Sequence, residues 1–191
     1  MEGRENARVK ATRKRLADAL RGMLREMPIH AVSIRELCIR AGINRTTFYH
    51  HYTSQYDLLE DICRRFLQEI SDRLAEADPE NHERVQEQIT RVLMYIEEHL
   101  EASRLLLNNQ IAPNVAVRLF SLPKVTAMLN IYGRNCEDPQ LRRSAVSFAI
   151  YGSYRLLKEW LNAEDADRLS PEQEAAMMLT LARRVFTDEH G

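Results

Sequence analysis

The sequence predicts an all-α fold, and three observations predict it. Glycine and proline are scarce, six of each in 191 residues, which is about half of average usage and leaves few helix breaks. Apolar residues recur three and four apart along most of the chain, and no segment alternates apolar and polar as a half-buried strand does. Short polar caps ahead of apolar-periodic runs occur at Ser33, Asn44, Ser54 and Ser170 and mark helix starts. With 45% apolar and 29% charged residues, the composition is globular rather than disordered or fibrous. Apolar runs fall far short of the ~18 residues of a membrane span, and the first residues lack the apolar core of a secretion signal. A soluble cytoplasmic protein without membrane contact is expected. Cys38, Cys63 and Cys136 are odd in number and widely spaced, which suggests neither a disulfide framework nor a thiolate zinc site. No metal or cofactor is expected.

The prolines at 28, 79, 113, 123, 139 and 171 divide the chain, because each lacks an amide donor and disfavours helix at the residue before it. Ahead of Pro28, Leu16, Leu20, Met23 or Leu24, and Met27 form one apolar stripe on a basic helix. Ser33 and Glu36 then read as a capping box, with Glu36 reaching back and Val32 stapling to Leu37. Ile34, Leu37, Cys38 and Ala41 make the inward face of a helix of about two turns, which Gly42 ends. Asn44 caps a third short helix, roughly Arg45 to Tyr52. Ser54 with Asp57 opens a long segment carrying Leu58, Leu59, Ile62, Phe66, Leu67, Ile70 and Leu74, expected to reach about Ala77. A helix from about Arg84 to Leu100 follows Pro79. Residues 103–135, with two prolines and Gly133, suggest two or three short helices.

The last two helices, from Pro139 to about Asn162 and after Ser170-Pro171, are apolar on more than one side. Leu141, Ala145, Phe148, Gly152 and Leu156 mark one stripe of the first, and Val146, Ile150, Ser153, Leu157 and Leu161 another. Two faces need two partners, the core of the same chain and, most economically, the equivalent helices of a second copy, packed as a four-helix bundle about a twofold axis; the alternative is a helix buried wholly inside one subunit. Ile150, Ser153, Leu157, Trp160, Leu161, Ala175, Met178, Leu179, Ala182 and Phe186 are the expected interface.

Residues 1–53 carry eleven Lys and Arg against five Asp and Glu, while residues 54–191 carry 16 against 23. A basic front and an acidic rear suggest a front that meets a polyanion. Residues 1–53 are accordingly expected to be a DNA-binding domain, and residues 54–191 a second domain. Two short helices joined by a glycine-containing turn can place the second in a major groove while the first crosses the backbone. In the run Arg45-Thr46-Thr47-Phe48-Tyr49-His50-His51-Tyr52, Phe48 and Tyr52 share the inward side with Ile43. Arg45 can offer its fork to guanine, Thr46 a methyl or hydroxyl contact, and Tyr49 and His50 a bond to phosphate or base edges. Ser33 and Thr47, at helix starts, suit phosphate. His51 and Tyr52 complete the candidate set. Arg4, Arg8, Lys10, Arg13, Lys14 and Arg15, on a loop or arm over residues 4–15, add backbone or minor-groove contacts, or else form a solvated tail. Adjacent His50 and His51 point about 100° apart on a helix and cannot easily share an ion. With no phosphate loop, nucleophile elbow or zinc-protease motif present, an enzyme is not expected.

Residues 12–60 resemble the DNA-binding domain of TetR-family transcriptional repressors. The resemblance rests on Arg45 to Tyr52 followed by Ser54, Asp57, Leu58 and Leu59, and preceded by Ser33 to Leu37 and Ala41-Gly42-Ile43. Thr46 stands where the family commonly has a small residue, and Gln55 where it usually has Lys, removing one expected phosphate charge. The resemblance implies an N-terminal three-helix DNA-binding domain with a helix-turn-helix, followed by a C-terminal helical domain for ligand binding and dimerisation. It further implies a homodimer on a double-stranded, pseudo-palindromic operator, released by a small-molecule effector. The alternative is the same fold governed by a protein partner. Tyr95, His99, Phe120, Met128, Tyr132, Phe148 and Tyr151 are the candidate pocket residues.

Overall fold

The computed structural model describes residues 2–75, 78, 80–108 and 115–186. Among these are ten α-helices and no strand: α1 Glu2–Leu24, α2 Ile34–Ala41, α3 Arg45–His51, α4 Gln55–Arg73, α5 His82–Glu98, α6 Leu100–Leu107, α7 Val115–Phe120, α8 Pro123–Tyr132, α9 Pro139–Asn162 and α10 Pro171–Arg184. Ala77, Pro79 and Pro113, which entered the reading of boundaries, lie outside the described residues. Two compact units separate between Phe66 and Leu67, within α4. The division expected between residues 53 and 54 followed charge, and the packing boundary falls later because α4 gives its first turns to the amino-terminal unit.

The first unit is built on α1, α2, α3 and the start of α4. Leu16, Leu20 and Met23 of α1, Leu37 and Cys38 of α2, Phe48 of α3 and Leu58 of α4 form its core. At roughly 1.5–3 kcal/mol for each large side chain withdrawn from water, these residues stabilise the helices far beyond their intrinsic propensity. The segment 4–15 is helical within α1, so it is neither a loop nor an irregular arm; neighbouring residues 2 and 3 begin the same helix. Ser33 accepts a bond from the Glu36 amide as expected. The Glu36 carboxylate does not complete a box: it binds Arg40 at 2.8 Å, because a guanidinium four residues on offers a stronger, charge-assisted partner. Arg40 also holds Glu26 through two bonds of 2.9 Å, tying the segment after α1 to α2.

The second unit packs α10 between α5 and α9, with α6, α7 and α8 also against α9. Asp138 caps α9, accepting from the Gln140 amide at 2.7 Å, and Ser170 with Gln173 forms a complete capping box on α10. The far end of α9 is held by polar bonds: Arg104 donates to the Leu161 carbonyl at 2.6 Å, and Trp160 Nε1 donates to the Leu169 carbonyl at 2.8 Å. His99 leaves helical geometry with φ −117° and ψ 32°, so the helix expected to reach Leu100 ends at Glu98 and α6 begins after the break.

The two apolar stripes of α9 take opposite roles from those expected. Leu157, at 3% exposure, with Trp160 and Leu161 is buried inside the single chain, as are Ala175, Leu179 and Ala182 of α10. The Phe186 ring lies 3.3 Å from where a Cβ on Gly133 would stand. Seven of the expected interface residues are therefore committed to their own subunit. Phe148 and Tyr151, expected in a pocket, are 69% and 70% exposed. Both stripes are apolar, and periodicity alone cannot say which one turns inward.

Candidate nucleic-acid interface

The turn between α2 and α3 is fixed at both ends. Gly42 adopts φ 59° and ψ 39°, a left-handed conformation that costs a residue with a side chain about 1–2 kcal/mol. The Ile43 amide returns to the Cys38 carbonyl at 2.9 Å, and Asn44 accepts from the Thr46 amide at 2.8 Å to start α3. From α1, Arg15 donates to the Gly42 carbonyl at 2.7 Å. Arg15 is therefore a brace of the turn as well as a basic residue of α1. No local pattern announces a bond across 27 positions.

Helix α3 buries Phe48 completely and exposes Arg45, Thr46, Tyr49 and His50. Tyr49 is 51% exposed and its ring stands edge-on to Phe48, centroids 5.5 Å apart, so packing orients it while its hydroxyl end remains accessible. Ser33 is exposed, and Thr47 and His51 are partly so. Burial, followed by the charges of Arg13 and His50, lowers the His51 pKa, which favours its neutral form. Arg8, Lys10 and Lys14 of α1 are exposed.

Tyr52 departs from the candidate set. It is 4% exposed and donates its hydroxyl to Asp61 at 2.6 Å, so it belongs to the interior of the unit and offers no surface to DNA. Asp61 also accepts from Arg65 at 2.7 Å and from Arg64. Burial alone would raise the Asp61 carboxyl, but the Tyr52 hydroxyl and the two guanidiniums outweigh it and hold its pKa below the ordinary value. Burial, then the bond to Asp61, raises the pKa of the Tyr52 phenol. This cluster fastens the end of α3 to α4. Sequence reading missed Asp61, although a carboxylate with arginines three and four positions later was a visible sign of an ion-paired helix face.

Residues 16–62 match the model of the family described as bacterial regulatory proteins, tetR family. The fold of TetR regulators extends through the second unit as well. A TetR transcriptional regulator from Streptococcus agalactiae is similar with a TM-score of 0.71 and 19% identity, over 95% of this chain and 99% of that one. The dihydroxyacetone kinase operon activator DhaS is similar with a TM-score of 0.59 and 17% identity, over 90% and 93%. A tetR-family regulator from Streptomyces coelicolor gives 0.55 and 20%, over 93% and 92%. No curated protein sequence matches the chain.

The second unit contains a cavity of about 100 Å³, lined by residues that include Phe120 and Met128. Phe148, Tyr151, Tyr95 and His99 are not among its lining residues. Tyr95 carries the Arg73 guanidinium at 4.0 Å from its ring centre and has His99 against it at 4.6 Å, which accounts for both side chains outside the cavity. The side chain of Tyr132 lies outside the described residues. No group of three or more His, Cys, Asp or Glu able to hold a metal occurs among the described residues, and no helix there is long and apolar enough to cross a membrane.

Proposed function

We propose that this chain is a DNA-binding transcriptional repressor that reads a pseudo-palindromic operator as a homodimer and leaves it when a small molecule binds the second unit. The observation that carries the reading is α3, which exposes Arg45, Thr46, Tyr49 and His50 beyond a turn held by Gly42, Asn44 and Arg15. All four side chains bond readily to base edges or phosphate, and their mounting is rigid, so little ordering cost falls on binding. In this reading residues 1–53 bind DNA, residues 54–191 dimerise and take the effector, and the protein works in the cytoplasm without catalytic activity.

The dimer face proposed is the outward stripe of α9 with α10. Phe148, Tyr151, Leu141 and Leu181 are exposed there, and a groove of about 460 Å³ runs beside Phe148, Leu156, Leu181 and Val185. A contiguous apolar patch of this kind marks an interaction surface. Its position on two adjacent helices suits a second copy related by a twofold axis, which would pair two α3 helices with the two halves of a palindrome.

The test is footprinting on the DNA that flanks the gene. Arg45→Ala or Tyr49→Ala is expected to weaken specific binding at least about tenfold, from the ~1–3 kcal/mol of a good base contact, with helicity and oligomeric state retained. Undiminished footprints would refute the assignment of α3. Log affinity should fall steeply with log salt if the basic front contacts phosphates. Activation is the second reading, favoured by the fold shared with an operon activator. A reporter driven by the flanking promoter separates the two: deleting the gene raises expression if the protein represses and lowers it if the protein activates.

A further inference from the structure

The cavity of the second unit has a chemical character that limits its occupant. Its walls come from α4, α5, α7, α8, α9 and α10, and among the described residues its lining has no charged side chain and a single hydroxyl, that of Ser153. Ile89, Leu93, Phe120 and Leu157 are typical of the rest. The surrounding backbone is helical, so most of its amides and carbonyls are already paired and offer a ligand little. An ion entering such a space gives up its hydration and meets only methyl, methylene and ring carbons, a loss these contacts cannot repay. An apolar molecule suffers no such loss, and dry apolar cavities of about 150 Å³ are known to accept benzene. At about 100 Å³, this cavity suits a skeleton of about five or six non-hydrogen atoms, with Met128 and Met178 supplying flexible thioether walls that can give way.

The cavity also shares part of its lining with the outer groove. Ser153, Met178 and Ala182 line both, so these three residues are the partition between the interior space and the face assigned to the second copy. We propose that the cavity takes a small, uncharged, apolar molecule no larger than a single six-membered ring, and that its occupancy is felt at the dimer face through Ser153, Met178 and Ala182. The second clause rests on the dimeric reading above; the first does not. Met178 has the most flexible side chain of the three, and an occupant that displaces it alters the surface on which the partner sits. Ligand and dimer geometry are then coupled, and by linkage the dimer geometry that suits DNA disfavours the ligand.

The experiment uses the full chain with benzene, 1-pentanol, pentanoate and pentylammonium at neutral pH, followed by melting temperature. Benzene and 1-pentanol are expected to raise it by roughly 3–6 °C at tenfold excess over their dissociation constants, and the two ions are expected to have no effect. An ion as effective as 1-pentanol, or no response to either neutral probe, overturns the assignment. Val125→Phe, which places a ring on the cavity wall, should abolish the response. If that variant does not fold, the four-ligand comparison still decides. For the coupling, benzene should shift the Met178 methyl resonance and lower operator affinity at least tenfold. A thermal response with unchanged operator affinity overturns the coupling and keeps the ligand class. Failure of the ligand-free protein to bind DNA would instead count against the DNA-binding reading, and the thermal response would decide the ligand class independently.

Discussion

The α2–α3 turn and the α9–α10 pair achieve order by different physics. In the turn, position is set by directional bonds, Arg15 to the Gly42 carbonyl and Asn44 to the Thr46 amide, and Tyr52 bonded to Asp61 holds the far end of α3. Each is a bond whose distance and angle are narrowly limited, so it holds a turn carbonyl or a helix end in place. In the α9–α10 pair the contacts are mostly apolar and non-directional, a closed core on one side and an exposed stripe on the other. Such surfaces tolerate repacking. One region is ordered by directional bonds and the other by apolar burial.

The largest effects separate the two stripes of α9. Phe148→Asp should yield a soluble, folded monomer that loses at least about a hundredfold in operator affinity, because two half-sites no longer bind as one. Leu157→Asp, nine positions on, should instead unfold the subunit, since it buries an unpaired charge. Sedimentation and circular dichroism distinguish the outcomes. A Phe148→Asp variant that remains dimeric would remove the proposed interface from this face and with it half of the contrast between the regions.

A second prediction concerns the buried charged side chain of α10. Glu174 is 2% exposed and its Oε1 has no hydrogen-bond partner. Burial, with the nearby Glu159 carboxylate adding to it, raises its pKa from 4.5 to about 7. Between those values the folded chain keeps a proton that the unfolded chain has released. Stability contributed by this site therefore falls as pH rises through the interval, by roughly 2–3 kcal/mol, and stays lower above it. Glu174→Gln should flatten this part of the stability profile and melt higher than the parent above pH 7, as calorimetry at several pH values would reveal. An unchanged profile would mean that water or a partner satisfies the carboxylate.

The same contrast explains what was legible in the sequence. Ser33, Gly42, Asn44 and Ser170 specify helix ends through local chemistry, and the structure places each where a cap or a left-handed residue is needed. Arg45, Thr46, Tyr49 and His50 could be assigned outward because Phe48 fixed the inward side of a short helix. On α9 both Leu157 and Phe148 belong to apolar stripes, and choosing between them requires knowledge of what packs on each. The cavity residues come from six helices, and Ile70 and Met178 are more than a hundred positions apart. Arg15 escaped for a similar reason, since a side chain's partner across the fold leaves no periodic trace.

The smallest effect tests whether α3 depends on the directional bond at its far end. Tyr52→Phe keeps the ring, buried with its centroid 5.9 Å from that of Phe48, and removes only the bond to Asp61. Asp61 retains Arg64 and Arg65, so no charge is stranded, and the expected cost is about 1 kcal/mol, a typical net value for one such bond. If the bond also sets the angle of α3, operator affinity should fall several-fold under conditions where the variant is fully folded, with an unchanged salt slope because no phosphate contact is lost. Asp61→Asn can still accept from the phenol and should retain more affinity than Asp61→Ala. Equal affinity for Tyr52→Phe and the parent, at matched folding, would reduce the bond to a stabilising role and leave the packing of Phe48 to orient the reading helix.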